Sequence, residues 1–226
     1  MKSRLHYFLL IAATAAAVHG QNLQAVLSRM DVAGNQFKAM TSHMDRITHV
    51  DVINDDTPES GTIRITRSKA KEIRVSLDFS KPEPKQVAIS ERKVEIYYPK
   101  ANRVEEYDLG KYKSLVDQFV LLGFGTTGKD LQKAYNLKFV KDETVAEQKC
   151  SRIELDPKDS KVKKQYSKFE LCIADPGGYP VLQKLIEPSG NYTSITYSDI
   201  KLKPDLRPED MNLNLPAGVK REYPQK

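Results

Sequence analysis

The sequence predicts a mainly β fold with covering α-helices, in which about eleven strands form one long antiparallel sheet. Three observations carry the prediction. Residues 61–109 read as five short strands in succession, residues 137–202 as five more, and few segments carry a helical period. A sheet of this length curls, and its apolar inner face has to be covered by helices.

In chain order, Lys2 and Arg4 precede an apolar run from Tyr7 to Val18 that closes in small residues. This is the pattern of a secretory signal peptide over 1–20, cleaved after Gly20. The run is too short for a membrane span, and no cysteine stands near the cleavage point to carry a lipid anchor. The expectation is a soluble exported protein with a single domain over 21–226. Residues 22–44 set Leu23, Leu27, Met30, Phe37, Met40 and Met44 at three-, four- and seven-residue spacings, the mark of an amphipathic helix. Gly34 weakens that helix by about 1 kcal/mol relative to Ala and allows a bend. From 44 to 54, Ile47, Val50 and Val52 turn the pattern strand-like, ahead of the turn signal Asp55-Asp56-Thr57-Pro58.

The strands that follow alternate with period two, one face apolar and one wet. The apolar set is Ile63 and Ile65, then Ile73, Val75, Leu77 and Phe79, then Val87 and Ile89, then Val94, Ile96 and Tyr98, with a last strand over 103–109. Connections of Pro, Lys, Asn and Ser make these an antiparallel meander. Arg67 breaks the pattern, because it shares the parity of Ile63 and Ile65. An arginine on an apolar face has to reach a rim, a carbonyl or an anion.

Residues 111–124 begin as a helix with Leu115, Val116, Phe119, Val120, Leu121 and Leu122, and end in Gly123-Phe124-Gly125. A breaker at 126–128 and a short helix at 129–135 follow. Two readings stay open for this unit. It plugs one end of the core, or it is a lid whose glycines, Gly123, Gly125 and Gly128, absorb a backbone change.

In the second half, a hairpin register that sets Cys150 opposite Cys172 also sets Arg152 opposite Glu170 and Glu154 opposite Lys168. The other face then carries Ile153, Leu155, Phe169, Leu171 and Ile173. Two cysteines on the wet face of adjacent strands in an exported chain predict a disulfide. The lysine-rich stretch 156–166 reads as the hairpin loop between them.

Composition removes several functions. The 36 Lys and Arg stand against 30 Asp and Glu, and loss of Lys2 and Arg4 with the leader leaves a formal charge of +4. Acidic residues alternate with the basic ones, unlike a nucleic-acid binder. His6 and His19 leave with the leader, and His43 and His49 lack partners at metal-ligand spacing. No nucleophile elbow, phosphate loop or paired-carboxylate motif is present, so neither an enzyme nor a cofactor is expected. Two or three helices over eleven strands leave room for an apolar cavity that takes a lipid or acyl chain. Periodicity does not distinguish that cavity from a filled core.

Four stretches carry a resemblance to a known family. They are the N-terminal helix with Phe37 and Met40, the strand Gly61-Thr62-Ile63-Arg64-Ile65-Thr66-Arg67, the segment from Ser90 to Tyr98-Pro99 with Arg103-Val104-Glu105-Glu106-Tyr107 after it, and the ending Pro216-Ala217-Gly218-Val219. In order and spacing the chain resembles the LolA-like periplasmic carriers of outer-membrane lipoproteins. Ser68, where the family has proline, and the stretch 156–166 depart from that pattern.

The resemblance implies a strongly curved antiparallel half-barrel lidded by helices around an apolar cavity. It implies a monomeric shuttle that takes acylated lipoproteins from an inner-membrane ABC-type release complex to an outer-membrane receptor or membrane surface. It also implies that Arg67 latches the lid, matched by Leu121, Leu122, Gly123 and Phe124, through backbone carbonyls. The acyl-chain set is then the apolar face given above together with Leu115 and Phe119. A carrier of another envelope lipid and a half-barrel sensor of lipid or lipoprotein in envelope stress are the alternatives.

Overall fold

The structure is a computed structural model that describes residues 22–68, 73–90, 92–110 and 122–225. The leader 1–20, the helix read over the first part of 111–124, and Leu115, Phe119 and Leu121 lie outside the described residues. Among those described, no helix is long and apolar enough to cross a membrane.

Helix α1 covers residues 22–36 and turns Val26, Leu27 and Met30 into the core. It ends eight residues before the sequence predicts. Phe37 lies in the link, and Met40 and Met44 belong to strand β1, Ala39–Val50. A spacing of four satisfies both a helix face and a strand face, and β1 gains a hydrogen-bonded neighbour on each side. Gly34 marks a crossing, since a Cβ there would come within 2.8 Å of the Thr126 carbonyl oxygen.

Strand β2, Asp55–Arg67, pairs with β1 along its whole length. The turn between them is Asp51–Ile53 with Asn54 in the left-handed region, so the predicted turn at 55–58 lies inside β2. Pro58 is tolerated there because the next strand reaches only as far as Ser60, leaving one flank of Pro58 without a neighbour.

The meander continues through β3 Ile73–Lys81, β4 Lys85–Ser90, β5 Lys93–Tyr98 and β6 Arg103–Asp108. Helix α2, Gly128–Ala134, is capped by the Thr127 side chain, which accepts from the Asp130 N–H. A second meander follows: β7 Tyr135–Val145, β8 Gln148–Pro157, β9 Lys168–Ala174, β10 Pro180–Ile186 and β11 Tyr192–Leu202. Between β8 and β9 the lysine-rich stretch is a helix rather than a plain loop. This is α3, Ser160–Gln165, capped by Asp159, with Val162 buried.

Twelve strands form one open sheet, in the order β12-β6-β5-β4-β3-β2-β1-β11-β10-β9-β8-β7. Eleven match the predicted count. The twelfth, β12 Lys220–Glu222, runs parallel to β6, and its three exposed residues carry no alternation to announce it. The two meanders meet where β1 pairs with β11.

Cys150 and Cys172 form the expected disulfide, with Cα atoms 5.5 Å apart. The register around it is shifted by two residues, with Cys150 opposite Ala174, Arg152 opposite Cys172 and Glu154 opposite Glu170. A two-residue slip leaves every side chain on its own face, so alternation is blind to it. The charge pairs survive as diagonals, Arg152 to Glu170 at 2.9 Å and Lys168 to Glu154 at 3.5 Å. The cysteine side is not wet. Cys150, Cys172, Ala174 and Val181 are buried together, with Val145, Leu182 and Ile200 packed against them.

Two larger clusters make the core. One lies under α1, α2 and α3 and joins Val26, Leu27 and Met30 to Leu131, Tyr135, Ile153, Phe169 and Leu171. The other lies on β1 to β4 and β11 and joins Met40 and Met44 to Ile63, Ile65, Val75, Phe79 and Tyr197.

Candidate functional site

The apolar residues predicted on the first meander converge. Ile63, Ile65, Ile73, Val75, Phe79 and Val87 are buried in one cluster, and Leu77, Ile89, Val94 and Ile96 pack half-buried against it. Tyr98 shares their parity but lies beyond the cluster, opposite Arg103 and 5.2 Å from its guanidinium. Opposite Val94 and Ile96 stand Tyr107 and Glu105, so the apolar inner face ends at β5.

Into this cluster the turn 122–125 inserts one side chain. Phe124 is 1% exposed, edge-on to Tyr197 at 5.1 Å and tilted against Phe37 at 6.3 Å. Leu122, two residues earlier, belongs instead to the cluster under α1. The turn therefore straddles the two cores. Gly123 and Gly125 make this possible with φ of 89° and 71°, in the left-handed region that side chains avoid. Space forbids a side chain as well: a Cβ at Gly123 would meet Pro180 at 2.9 Å, and one at Gly125 would meet Phe37 at 2.9 Å and the Arg67 guanidinium carbon at 3.2 Å.

Arg67 thus lies against the turn. Its backbone N–H donates to the Lys38 carbonyl at 2.7 Å, which fixes the end of β2 to the start of β1. Its Nε is buried without a hydrogen-bond partner among the described residues. The carbonyl of Leu122 is occupied by another residue, the Gln183 side chain, whose Nε2 donates to it. Gln183 is 2% exposed, and its Oε1 accepts from the Tyr197 hydroxyl at 2.7 Å. Burial pushes the Tyr197 phenol far above the ordinary tyrosine range, so it stays a neutral donor.

Gln183 is the residue that sequence reading missed. It shares the parity of Val181 and Leu185 on β10, the same signal of a polar side chain on an apolar face that singled out Arg67. Replacing it, Gln183→Leu, strands the Leu122 carbonyl and the Tyr197 hydroxyl in apolar surroundings. Each stranded group costs about 1–3 kcal/mol. The expected result is a loss of about 2–6 kcal/mol in urea unfolding, with amide exchange accelerated first at 122–127.

Beside the turn opens a groove of about 370 Å³, lined among others by Val32, Phe37, Phe124, Gly125, Tyr179 and Leu202. Among the described residues of the predicted lid, Gly123, Phe124 and Gly125 line it, while Arg67 and Leu122 do not. Of the predicted acyl-chain residues that are described, all but Tyr98 lie in or against the packed cluster behind Phe124.

Residues 54–211 match the family model described as outer membrane lipoprotein carrier protein LolA. No curated protein matches the chain in sequence. Among solved structures, the crystal structure of MucB is similar at a TM-score of 0.54 and 14% identity, over 85% of this chain and 63% of that one. The chain thus spans less than two thirds of MucB. A conserved protein from Thermus thermophilus is similar at 0.53 and 13% identity, over 88% and 98% of the two chains. LprF from Mycobacterium bovis is similar at 0.51 and 12%, over 84% and 97%. Likeness at these identities establishes the curved, helix-covered sheet. The family model covers well over half of the sequence, and by it the chain belongs to the LolA family.

Proposed function

We propose that this protein is a single-domain periplasmic carrier, exported by its leader 1–20, that holds the acyl chains of lipoproteins in the seat now filled by Phe124. One observation carries the reading: an apolar cluster on the sheet is completed by a side chain from a turn bounded by two left-handed glycines. The protein keeps its own seat occupied with a segment built to move. Loading withdraws Phe124 and exposes Ile63, Ile65, Val75, Phe79 and Val87 to the incoming chain, while Leu77, Ile89 and Ile96 extend the surface outward.

Magnitudes favour exchange. Taking Phe124 out of its seat costs about 3 kcal/mol at most, and parting Gln183 from Leu122 costs about 1 kcal/mol. At about 0.8 kcal/mol for each buried methylene, roughly five methylenes offset both. A longer chain leaves a surplus, so unloading needs an acceptor that binds the chain more tightly. An inner-membrane release complex of the ABC type supplies the cargo in this scheme, and an outer-membrane receptor or membrane surface takes it. No catalysis is involved and a monomer suffices.

Arg67 keeps the turn closed by packing its guanidinium on Gly125. Native mass spectrometry of the mature protein from its own periplasm, wild type against Arg67→Leu, tests the scheme. The expected result is triacylated lipoprotein bound to both, with the bound-to-free ratio raised in the variant. Each 1 kcal/mol removed from the closed state raises that ratio about fivefold. Bound glycolipid or phospholipid would change the cargo, and an empty protein in both forms would sink the seat.

A further inference from the structure

We infer that the groove beside the turn takes a single-chain amphiphile with an anionic head. The inference rests on the acyl-carrier reading and narrows what enters without opening the turn. The floor of the groove is apolar, built from Val32, Ala33, Phe37, Phe124, Tyr179 and Leu202. Val32 and Leu202, 59% and 46% exposed, are two of the six large apolar side chains left exposed among the described residues. At about 370 Å³ the groove lies near the lower end of the range for small-molecule sites, roughly 300–1,000 Å³. That is room for one chain rather than three.

The rim is cationic. Arg29, Lys38 and Lys203 line the groove, and among the described residues no acidic one does. Arg29 donates from Nη2 to the Ser151 hydroxyl at 3.1 Å and stands 3.8 Å from Asp175, while its Nε is buried without a partner among the described residues. Lys38 and Lys203 are exposed. Their backbones are tied to the same corner, Lys203 N–H donating to the Ala39 carbonyl at 2.8 Å and the Lys38 carbonyl accepting from Arg67.

Lys93, Lys100, Lys141 and Lys163 each have a carboxylate within 3.0 Å, whereas no ion pair among the described residues engages Lys38 or Lys203. A neutral chain would cover the floor and leave Lys38 and Lys203 unanswered. A simple anion would answer the cations and leave the floor wet. A chain ending in a carboxylate or phosphate satisfies both.

Binding of four probes to delipidated mature protein tests this. Palmitate and palmitoyl-lysophosphatidylglycerol carry an anionic head, and hexadecanol and palmitoyl-lysophosphatidylcholine are their uncharged or zwitterionic counterparts. Exposed charge pairs contribute about 0.2–1 kcal/mol each, so two to three of them make the anionic probes about tenfold tighter at low salt. The preference is expected to vanish at about 1 M salt and in the double variant Lys38→Gln/Lys203→Gln, whose exposed positions spare the fold. Preference for palmitate alone assigns the head as a carboxylate, and for the lysophospholipid alone as a phosphate. Equal affinity within each pair, or no binding of any probe while lipoprotein still binds, overturns the anionic head and leaves the carrier intact. Loss of lipoprotein and probes together removes the carrier reading as well.

Discussion

Phe124→Ala is expected to cost the folded protein about 3–5 kcal/mol and yet to tighten its hold on an acyl chain. The cost follows from deleting a fully buried ring that touches Tyr197 and Phe37. For a chain of 226 residues this lowers Tm by roughly 10 °C. The gain follows because the incoming chain no longer has to displace the ring. Removing a penalty of about 2 kcal/mol raises affinity about thirtyfold. Thermal unfolding with and without a fluorescent fatty-acyl probe measures both. A ring that merely fills the core predicts the first effect without the second, and that result would return the β1 to β4 cluster to an ordinary packed interior.

Replacing the disulfide, Cys150→Ala with Cys172→Ala, is expected to cost about 3 kcal/mol without altering ligand affinity. The bridge closes a loop spanning 22 residues, and restraint of the unfolded chain by a loop of that size contributes about that much. It staples β8 to β9, and its cysteines belong to a cluster separate from the one that holds Phe124. Both cysteines are 2% exposed or less, so a reductant reaches them only when these strands part. Thiol labelling in native buffer with a mild reductant is therefore expected to run at the unfolding rate. Fast labelling of an otherwise native protein would place a local opening between β8 and β9.

Period two makes the strands legible, because half-buried antiparallel strands write their burial directly into alternation. It leaves their ends open. Met40 and Met44 fit a helix and a strand equally, and only the neighbours on both sides of β1 decide between them. It leaves register open modulo two, which is why the cysteine pairing is correct while its register is two residues off. β12 and α3 are hidden for a different cause. Lys220-Arg221-Glu222 buries nothing, and α3 buries only Val162, so neither leaves an apolar pattern.

At the site, Arg67 stands out because a charge on an apolar face has no cheap explanation. Gln183 carries the same parity anomaly in a weaker form, since a neutral amide costs less to bury than a guanidinium. Its role depends on Leu122 and Tyr197, 61 and 14 residues away, and no local window contains all three.

The seam between β1 and β11 has a consequence for how the molecule is made. Each meander closes through neighbouring hairpins, but His43 must find Ser198, a contact across about 150 residues. The chain emerges with its N-terminal end first, so β1 is in place well before β11 arrives to pair with it. Until then it is the bare edge of a half-sheet whose apolar face is ready to pair with any strand that passes. Assembly is therefore slow and gated by the far end of the chain, and the nascent first half is the stage at which this protein most needs a companion of its own.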